Sequence, residues 1–283
     1  MNQSKKTKSG SAEGHLFGVR ILEKLYKWLE GILNVNVLDF ATKWAGRIGH
    51  WSLVAAAGLG FLFSLIFAIR INKFDSFLIG IGWFLLVFVI QFTAQRFLGA
   101  GKTLIGNNTS RLASRAFLEC VAFLAAILGV VVLIGSIITA VRLGSLMPFL
   151  SGLGGFVFLE FLAMVTFHPQ TITTEIVEET SAGQEALGII TYFLKAVLRL
   201  VPILFGLGVL IFTIYMLIDG FGLFGNVMRT ESSWIKVQMR APQILTYAIL
   251  PFLSYILFVL FYLVVDIIRS ILVVPEKLDK LSK

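Results

Sequence analysis

The chain has 283 residues, of which 57% are hydrophobic and only 14% are charged. A soluble domain carries about a quarter charged residues, so this composition excludes a soluble protein and predicts a polytopic membrane protein. The net charge of +8 does not predict nucleic-acid binding, because in a membrane chain the position of each charge matters more than the sum.

The N-terminal region is predicted to lie outside the membrane core. Residues 1–15 read as a disordered basic arm, because their lysines precede a Ser/Gly stretch instead of the apolar core of a signal sequence. Residues 16–50 are predicted to form amphipathic helices at the cytoplasmic interface, with apolar residues recurring every three or four positions. We expect Trp28 to lie at the depth of the anionic lipid headgroups. Packing of this helix on the protein itself or on a partner subunit is the alternative.

Six apolar stretches are long enough to cross a hydrocarbon core of about 30 Å as helices. They make residues 51–274 a transmembrane domain, followed by a basic cytoplasmic tail at residues 275–283. The predicted spans are 52–69, 77–94, 117–141, 146–167, about 190–218, and 244–268. The fold class is therefore all-α, a polytopic bundle of six transmembrane helices preceded by an N-terminal amphipathic interfacial helix.

Two of the spans contain residues that disturb a regular helix. Pro202 lies in the fifth span, where we expect a kink, with the preceding turns lying along the interface. In the fourth span, Pro148 and the glycines of residues 151–155 weaken the outer half. The sequence of this span is compatible with a continuous, a broken or a re-entrant helix.

The distribution of basic residues predicts the orientation. With the N-terminus inside, 18 of the 24 Lys and Arg residues fall on the cytoplasmic side. This bias follows the positive-inside rule, so we expect both termini in the cytoplasm and localisation in a bacterial inner membrane.

Polar residues within the spans concentrate in their cytoplasmic halves. Ionisable groups within a membrane are costly and are functional candidates by default. The candidates are Gln91, Glu119, Glu160, Lys195 and Arg199. They form either a cytoplasm-facing pocket for a proton, a cation or an anionic group, or a set of ion pairs that fixes helix register. The second interpretation is favoured, because the outer halves of the spans offer almost no polar residues to continue a path across the bilayer.

The connection after His168 is acidic and alternates apolar with polar residues, as a short strand or an extended arm would. Its carboxylates are predicted either to bind the basic segments of the same chain or to dock a basic cytoplasmic partner. These acidic residues are Glu175, Glu178, Glu179 and Glu185. Ser181 is the expected start of the next helix.

No catalytic, metal or cofactor site is predicted. Cys120 is the single cysteine, and His50 and His168 stand at span ends, where a polar interfacial role is favoured over haem ligation. We therefore expect an accessory or structural subunit of a larger membrane complex, which docks other subunits through its cytoplasmic face. The alternative is a small transporter or channel that uses Glu119 and Glu160 with Lys195 and Arg199. A lipid-modifying membrane enzyme is a third, weaker possibility.

Overall fold

The computed structural model describes residue 24 and residues 35–108, 110–112, 114–177 and 182–281, with residues 272–281 described by their backbone only. Within these residues the predicted all-α bundle is confirmed, because six helices are long and apolar enough to cross a membrane. Of the predicted amphipathic segment, residues 16–50, only residue 24 and residues 35–50 are among the described residues, and Trp28, Glu178 and Glu179 lie outside them.

The six helices follow the chain in the order of the predicted spans. The fourth coincides with its predicted span, and the other five are longer than the spans they contain. They are α1 (Val35–Ile71), α2 (Phe74–Asn107), α3 (Arg115–Leu143), α4 (Leu146–Phe167), α5 (Ala182–Gly220) and α6 (Val227–Leu281). At 55 residues, α6 is about 82 Å long, which exceeds the hydrocarbon core of a bilayer.

Three helices are continuous through segments where the sequence predicts a change of direction or is compatible with a break. Residues 35–50, expected at the interface, continue without interruption into the first span as part of α1. Helix α4 is unbroken from Leu146 to Phe167, so the fourth span is neither split nor re-entrant. Helix α5 is also continuous, with Pro202 inside it. Proline is tolerated within membrane helices because neighbouring groups satisfy the backbone carbonyl that it leaves free.

Two short strands pair outside the helices. β1 (Ser110–Leu112) lies between α2 and α3, and β2 (Thr174–Ile176) lies between α4 and α5. They are parallel, with Ser110 opposite Thr174. Because successive helices run in opposite directions, both strands lie where α1, α3 and α5 begin. We term this the strand end of the bundle, and the other the opposite end.

Helix α5 lies at the centre of the bundle. Its Phe205 and Val209 are completely buried, and Gly206 lets it approach α1 closely, since a Cβ at Gly206 would lie 2.2 Å from the carbonyl oxygen of Ala45. Small residues at such contacts allow membrane helices to associate through van der Waals packing. Around α5 the core has two clusters. One contains all the buried core residues of α3 and α4, together with Leu38 of α1, Ile105 of α2 and Phe258 of α6. The other is formed with α1, α2 and α6 and contains no residue of the α3 and α4 helices.

Helices α3 and α4 form a hairpin at the edge of the bundle. They approach each other where Gly152 of α4 faces Ser136 of α3. The outward side of α3 is apolar and exposed along most of its length, for example at Leu128 and Val131. β1 immediately precedes this hairpin and β2 follows it, so the two strands join its first and last residues.

Candidate functional site

The most buried charged side chain of the described residues is Lys195, on the strand-end half of α5. It is 0% exposed, and each of its acceptors is a neutral oxygen from the connections that contain β1 and β2. Nζ lies 2.5 Å from the carbonyl oxygen of Asn108, 3.0 Å from Ser110 Oγ, and 3.2 Å from both the carbonyl oxygen and Oγ1 of Thr173. An ammonium has three N–H groups to donate, so these four acceptors satisfy it fully.

Thr173 takes an unusual backbone conformation to complete this arrangement. Its φ is 54°, in the left-handed region that β-branched residues rarely adopt. The conformation places its carbonyl oxygen to accept from the Ser110 amide at 3.1 Å. The Thr173 hydroxyl lies 2.7 Å from the carbonyl oxygen of Asn108 and 2.8 Å from that of Ile105. Strain of this kind persists where surrounding contacts fix it, and Lys195 provides two of those contacts.

The two strands and Lys195 form one unit, which we term the strand clasp. The Ser110 and Thr174 hydroxyls are 2.8 Å apart, and the Val177 amide donates to the carbonyl oxygen of Leu112 at 3.0 Å. On α5, Gly188 lets β1 lie against the helix, since a Cβ there would be 2.3 Å from the carbonyl oxygen of Arg111. The clasp therefore ties both ends of the α3–α4 hairpin to the central helix.

Arg199, one helical turn after Lys195, faces a different neighbour. Its Nη2 donates to the carboxylate of Asp39 on α1, and its side chain is 14% exposed. Its Nε is buried and has no hydrogen-bond partner among the described residues. A cavity of about 640 Å³ opens beside this pair and is lined by residues from α1, α2, α5 and α6, including Lys43 and Lys102.

The two predicted carboxylates do not pair with Lys195 or Arg199 in the structure. Glu119 bonds instead to Arg115 of its own helix at 3.0 Å. Glu160 lies in the α3–α4 interface, with Oε1 2.9 Å from where a Cβ at Gly129 would stand. It is partly exposed, and within the described residues it has neither an ion-pair nor a hydrogen-bond partner.

The remaining predicted residues have separate contacts, Gln91 midway along α2 and the acidic residues at the strand end. Gln91 of α2 donates from Nε2 to the carbonyl oxygen of His50 on α1 at 3.4 Å, away from Lys195. Glu175 faces Arg111 across the two strands, with 3.8 Å between Oε2 and Nε. Glu185 accepts from the backbone amide of Ser114, just before α3, at 2.8 Å. The described carboxylates of the acidic connection thus contact the same chain.

The opposite end holds a polar network that the sequence analysis missed. Asp219 of α5 accepts from Arg240 of α6 at 2.8 Å, and the Arg240 guanidinium lies over the Tyr215 ring, 5.1 Å from its centroid. The Tyr215 hydroxyl donates to the carbonyl oxygen of Met147, and 2.7 Å separates it from Ser151 Oγ. In the sequence, Tyr215 belongs to an apolar run and Arg240 to a connection between two spans. The spacing of these residues does not indicate that α4, α5 and α6 contact one another there.

The α3–α4 hairpin touches α5 through hydrogen bonds near both ends of α4. At the strand end, the Tyr192 hydroxyl donates to Thr166 Oγ1 at 2.7 Å; at the opposite end, Tyr215 reaches Met147 and Ser151. Between these contacts, a mostly apolar cleft of about 230 Å³ separates α4 from α5 and α6. The hairpin is therefore held at its ends and packed more loosely in the middle.

The fold defines the class of the molecule as an integral, polytopic membrane protein with six helices able to cross a bilayer. No protein-family model, curated protein or solved structure matches the chain.

Proposed function

We propose that this protein is a non-catalytic subunit of a larger membrane complex and that the strand-end half of the α3–α4 hairpin binds a partner helix. The observation that carries the proposal is the unpaired carboxylate of Glu160. An ionised group within a membrane span is costly unless it is paired or faces water. A partner that supplies a cation would remove that cost.

The other charged side chains that enter the bundle interior support this interpretation by contrast. Lys195 is satisfied by the strand clasp, Arg199 bonds to Asp39, and Arg240 bonds to Asp219. Each of these groups has its partner within the chain, and each holds helices or connections together. Glu160 differs because its carboxylate lies against a glycine of the neighbouring helix, where an incoming Lys or Arg side chain can approach it.

The shape of the hairpin favours the same partner. Exposed apolar residues on α3 offer a lipid-facing surface at the depth of Glu160, because Gly129, close to the carboxylate, is next to Leu128 in sequence. A membrane helix that combines an apolar face with one Lys or Arg matches this surface. Hydrogen bonds and ion pairs between membrane helices add to van der Waals packing as the source of affinity.

The basic residues support an orientation with the strand end in the cytoplasm. This end carries Lys43, Arg47, Arg96 and Lys102 beside the apolar runs of α1 and α2, in keeping with the positive-inside rule. In this proposal the protein lies in a bacterial inner membrane, and the partner binds in the cytoplasmic half of the bilayer.

Site-specific photo-crosslinking in native membranes tests the proposal. A photoreactive residue at Leu124 or Leu128 of α3, both exposed in the strand-end half of that helix, should give one discrete adduct with a second membrane protein. The same residue at Leu85 or Val89 of α2, which are equally apolar and exposed, should not. Glu160→Gln keeps the side-chain shape but removes the charge, and it should reduce the α3 adduct by about tenfold or more, as expected when a buried charge pair is lost.

Glu119→Gln is the matched control, because Glu119 is also partly exposed but already bonds to Arg115 of its own helix. This variant should leave the α3 adduct unchanged. An adduct that persists in Glu160→Gln, equal cross-linking from α2 and α3, or an adduct with a second copy of this chain would contradict the proposal.

A transporter is the second candidate, and the same unpaired Glu160 favours it, since an unpaired carboxylate can bind a proton or a cation. Completely buried apolar residues of α5, among them Phe205 and Val209, lie between the polar groups of the two ends and favour the subunit. Proton flux into proteoliposomes separates the two. A transporter predicts flux that Glu160→Gln abolishes in a folded protein, whereas the subunit predicts none above empty liposomes for either form.

A further inference from the structure

The cavity beside Arg199 carries more positive than negative charge. Lys43 of α1, Lys102 of α2 and Arg199 of α5 line it together with the single carboxylate of Asp39. Asp39 is already bonded to Nη2 of Arg199. Two lysines therefore remain, for which the described residues provide no ion-pair partner within 4.0 Å.

Arg199 itself has an unused donor in this region. Its Nε is buried and makes no hydrogen bond within the described part of the chain. A buried donor without a partner costs roughly 1–3 kcal/mol, and a bound water or ion is one of the explanations for such a group. An anion in the cavity would give this guanidinium a second acceptor next to Asp39.

The cavity lies at the depth of lipid headgroups. The helices that line it are free of Asp, Glu, Lys and Arg over residues 48–69 in α1, 76–95 in α2 and 200–218 in α5. Lys43, Lys102 and Arg199 all stand outside these runs on their strand-end side. Basic side chains at this boundary face the phosphate layer of a bilayer.

The walls of the cavity are amphiphilic. Apolar side chains, among them Phe97, Leu198 and Pro251, line the same space as the three basic groups. The volume of about 640 Å³ lies within the range of ligand-binding pockets, about 300–1,000 Å³. A phosphate group next to hydrocarbon fits such a lining better than a fully hydrated ion does. The phosphate contacts the basic side chains, and the hydrocarbon contacts the apolar ones.

We propose that this cavity binds a phosphate group through Lys43, Lys102 and Arg199. The group belongs either to an anionic phospholipid, whose acyl chains follow the apolar wall, or to a soluble phosphate ester. The site is separate from the α3–α4 surface of the proposed function, because none of its lining residues belongs to α3 or α4. A phospholipid bound in this cavity would also bridge α1, α2 and α5.

Binding to the full-length protein in a non-ionic detergent tests the proposal. The probes are a short-chain phosphatidylglycerol, the phosphatidylcholine with the same acyl chains, and glycerol 3-phosphate, each titrated and followed by native mass spectrometry. We expect phosphatidylglycerol to bind more tightly than phosphatidylcholine. The variant Lys43→Gln/Lys102→Gln should weaken its binding roughly 25-fold, because each basic residue near an anionic headgroup contributes about fivefold.

Two further variants make the outcome specific. Arg199→Gln should weaken binding about fivefold or more. If that variant fails to fold, Lys43→Gln/Lys102→Gln, which changes two exposed lysines, still tests the proposal. Arg142→Gln, which removes an exposed cation from the opposite end, should have no effect. Binding of glycerol 3-phosphate with the same dependence on the lysines, without lipid binding, would assign the site to a soluble phosphate. Absence of binding by both anionic probes, or equal weakening by Arg142→Gln, would overturn the proposal.

Discussion

The two ends of the bundle use a buried cation in different ways. At the strand end, Lys195 donates to neutral oxygens from two connections of the chain. At the opposite end, Arg240 meets a carboxylate, Asp219, on the neighbouring helix. Lys195 holds together connections that are distant in sequence, whereas Arg240 joins α5 and α6, which are consecutive in the chain.

The difference follows from the lengths of the connections. At the opposite end, α1–α2 and α3–α4 are joined by two-residue turns, Asn72–Lys73 and Gly144–Ser145, and most of the longer α5–α6 connection is a 3₁₀ helix, Phe221–Phe224. Few backbone groups there therefore need partners outside a helix. At the strand end, the longer connections carry backbone groups that must be satisfied outside a helix. Strand pairing and a central ammonium satisfy them. A buried cation can thus serve as a structural centre without a carboxylate, provided that several backbone oxygens converge on it.

The largest predicted effect comes from removing the centre of the strand clasp. Lys195→Met should lower the free energy of unfolding by about 3 kcal/mol, because buried carbonyl and hydroxyl oxygens lose a charged donor. Unfolding in mixed detergent micelles measures this value. Lys236→Met, which replaces an exposed lysine of α6, is the control and should change stability by less than about 0.5 kcal/mol. Equal stability of the two variants would remove the proposed role of Lys195.

Removing the ion pair at the opposite end should lower the free energy of unfolding by less than removing Lys195 does. Arg240→Met leaves Asp219 without its cation, but both side chains are partly accessible, at 22% and 11% exposure. We expect a loss of about 2 kcal/mol in the same unfolding assay. A loss greater than that of Lys195→Met would reverse the ranking of the two ends.

Removing the hydroxyl of Tyr215 tests the hydrogen bonds between α4 and α5 at the opposite end. Tyr215→Phe keeps the ring under Arg240 but removes the bonds to Met147 and Ser151. The expected cost is about 1 kcal/mol, since hydrogen bonds between membrane helices are individually weak. Ser151→Ala removes one of these bonds and should cost less than Tyr215→Phe. The reverse order would contradict the assigned bonding.

The smallest effect is expected for the exposed pair across the strands. Arg111 and Glu175 are 74% and 64% exposed and 3.8 Å apart. Arg111→Gln should therefore change the free energy of unfolding by less than about 0.5 kcal/mol. A loss comparable to that of Lys195→Met would mean that this surface ion pair, and not the buried ammonium, holds the strands together.

Sequence reasoning predicted the six spans well because each is an uninterrupted apolar stretch of sufficient length. It also predicted an extended segment in the acidic connection, where β2 forms at Thr174–Ile176, and a helix starting near Ser181, where α5 begins at Ala182. These features depend on local residue patterns, which a sequence displays directly.

The contacts of the polar residues could not be predicted in the same way. The acceptors of Lys195 include the backbone carbonyls of Asn108 and Thr173, and every residue in a sequence has a carbonyl. The partner of β2 is a three-residue strand far away in the chain, at Ser110–Leu112, with no pattern that marks it. Arg199 pairs with Asp39, which the sequence placed in an interfacial helix instead of the first span.

Hydrogen–deuterium exchange in detergent micelles tests the central claim, that Lys195 holds the two strands together at the base of the hairpin. In Lys195→Met, the amides of Ser110 and Val177, which bond to Thr173 and Leu112 across the strands, should exchange at least tenfold faster than in the unsubstituted protein. The amide of Thr230 at the opposite end, bonded to Asn226 at 2.8 Å, should keep its rate. Unchanged protection of Ser110 and Val177, or equal acceleration at Thr230, would contradict the claim.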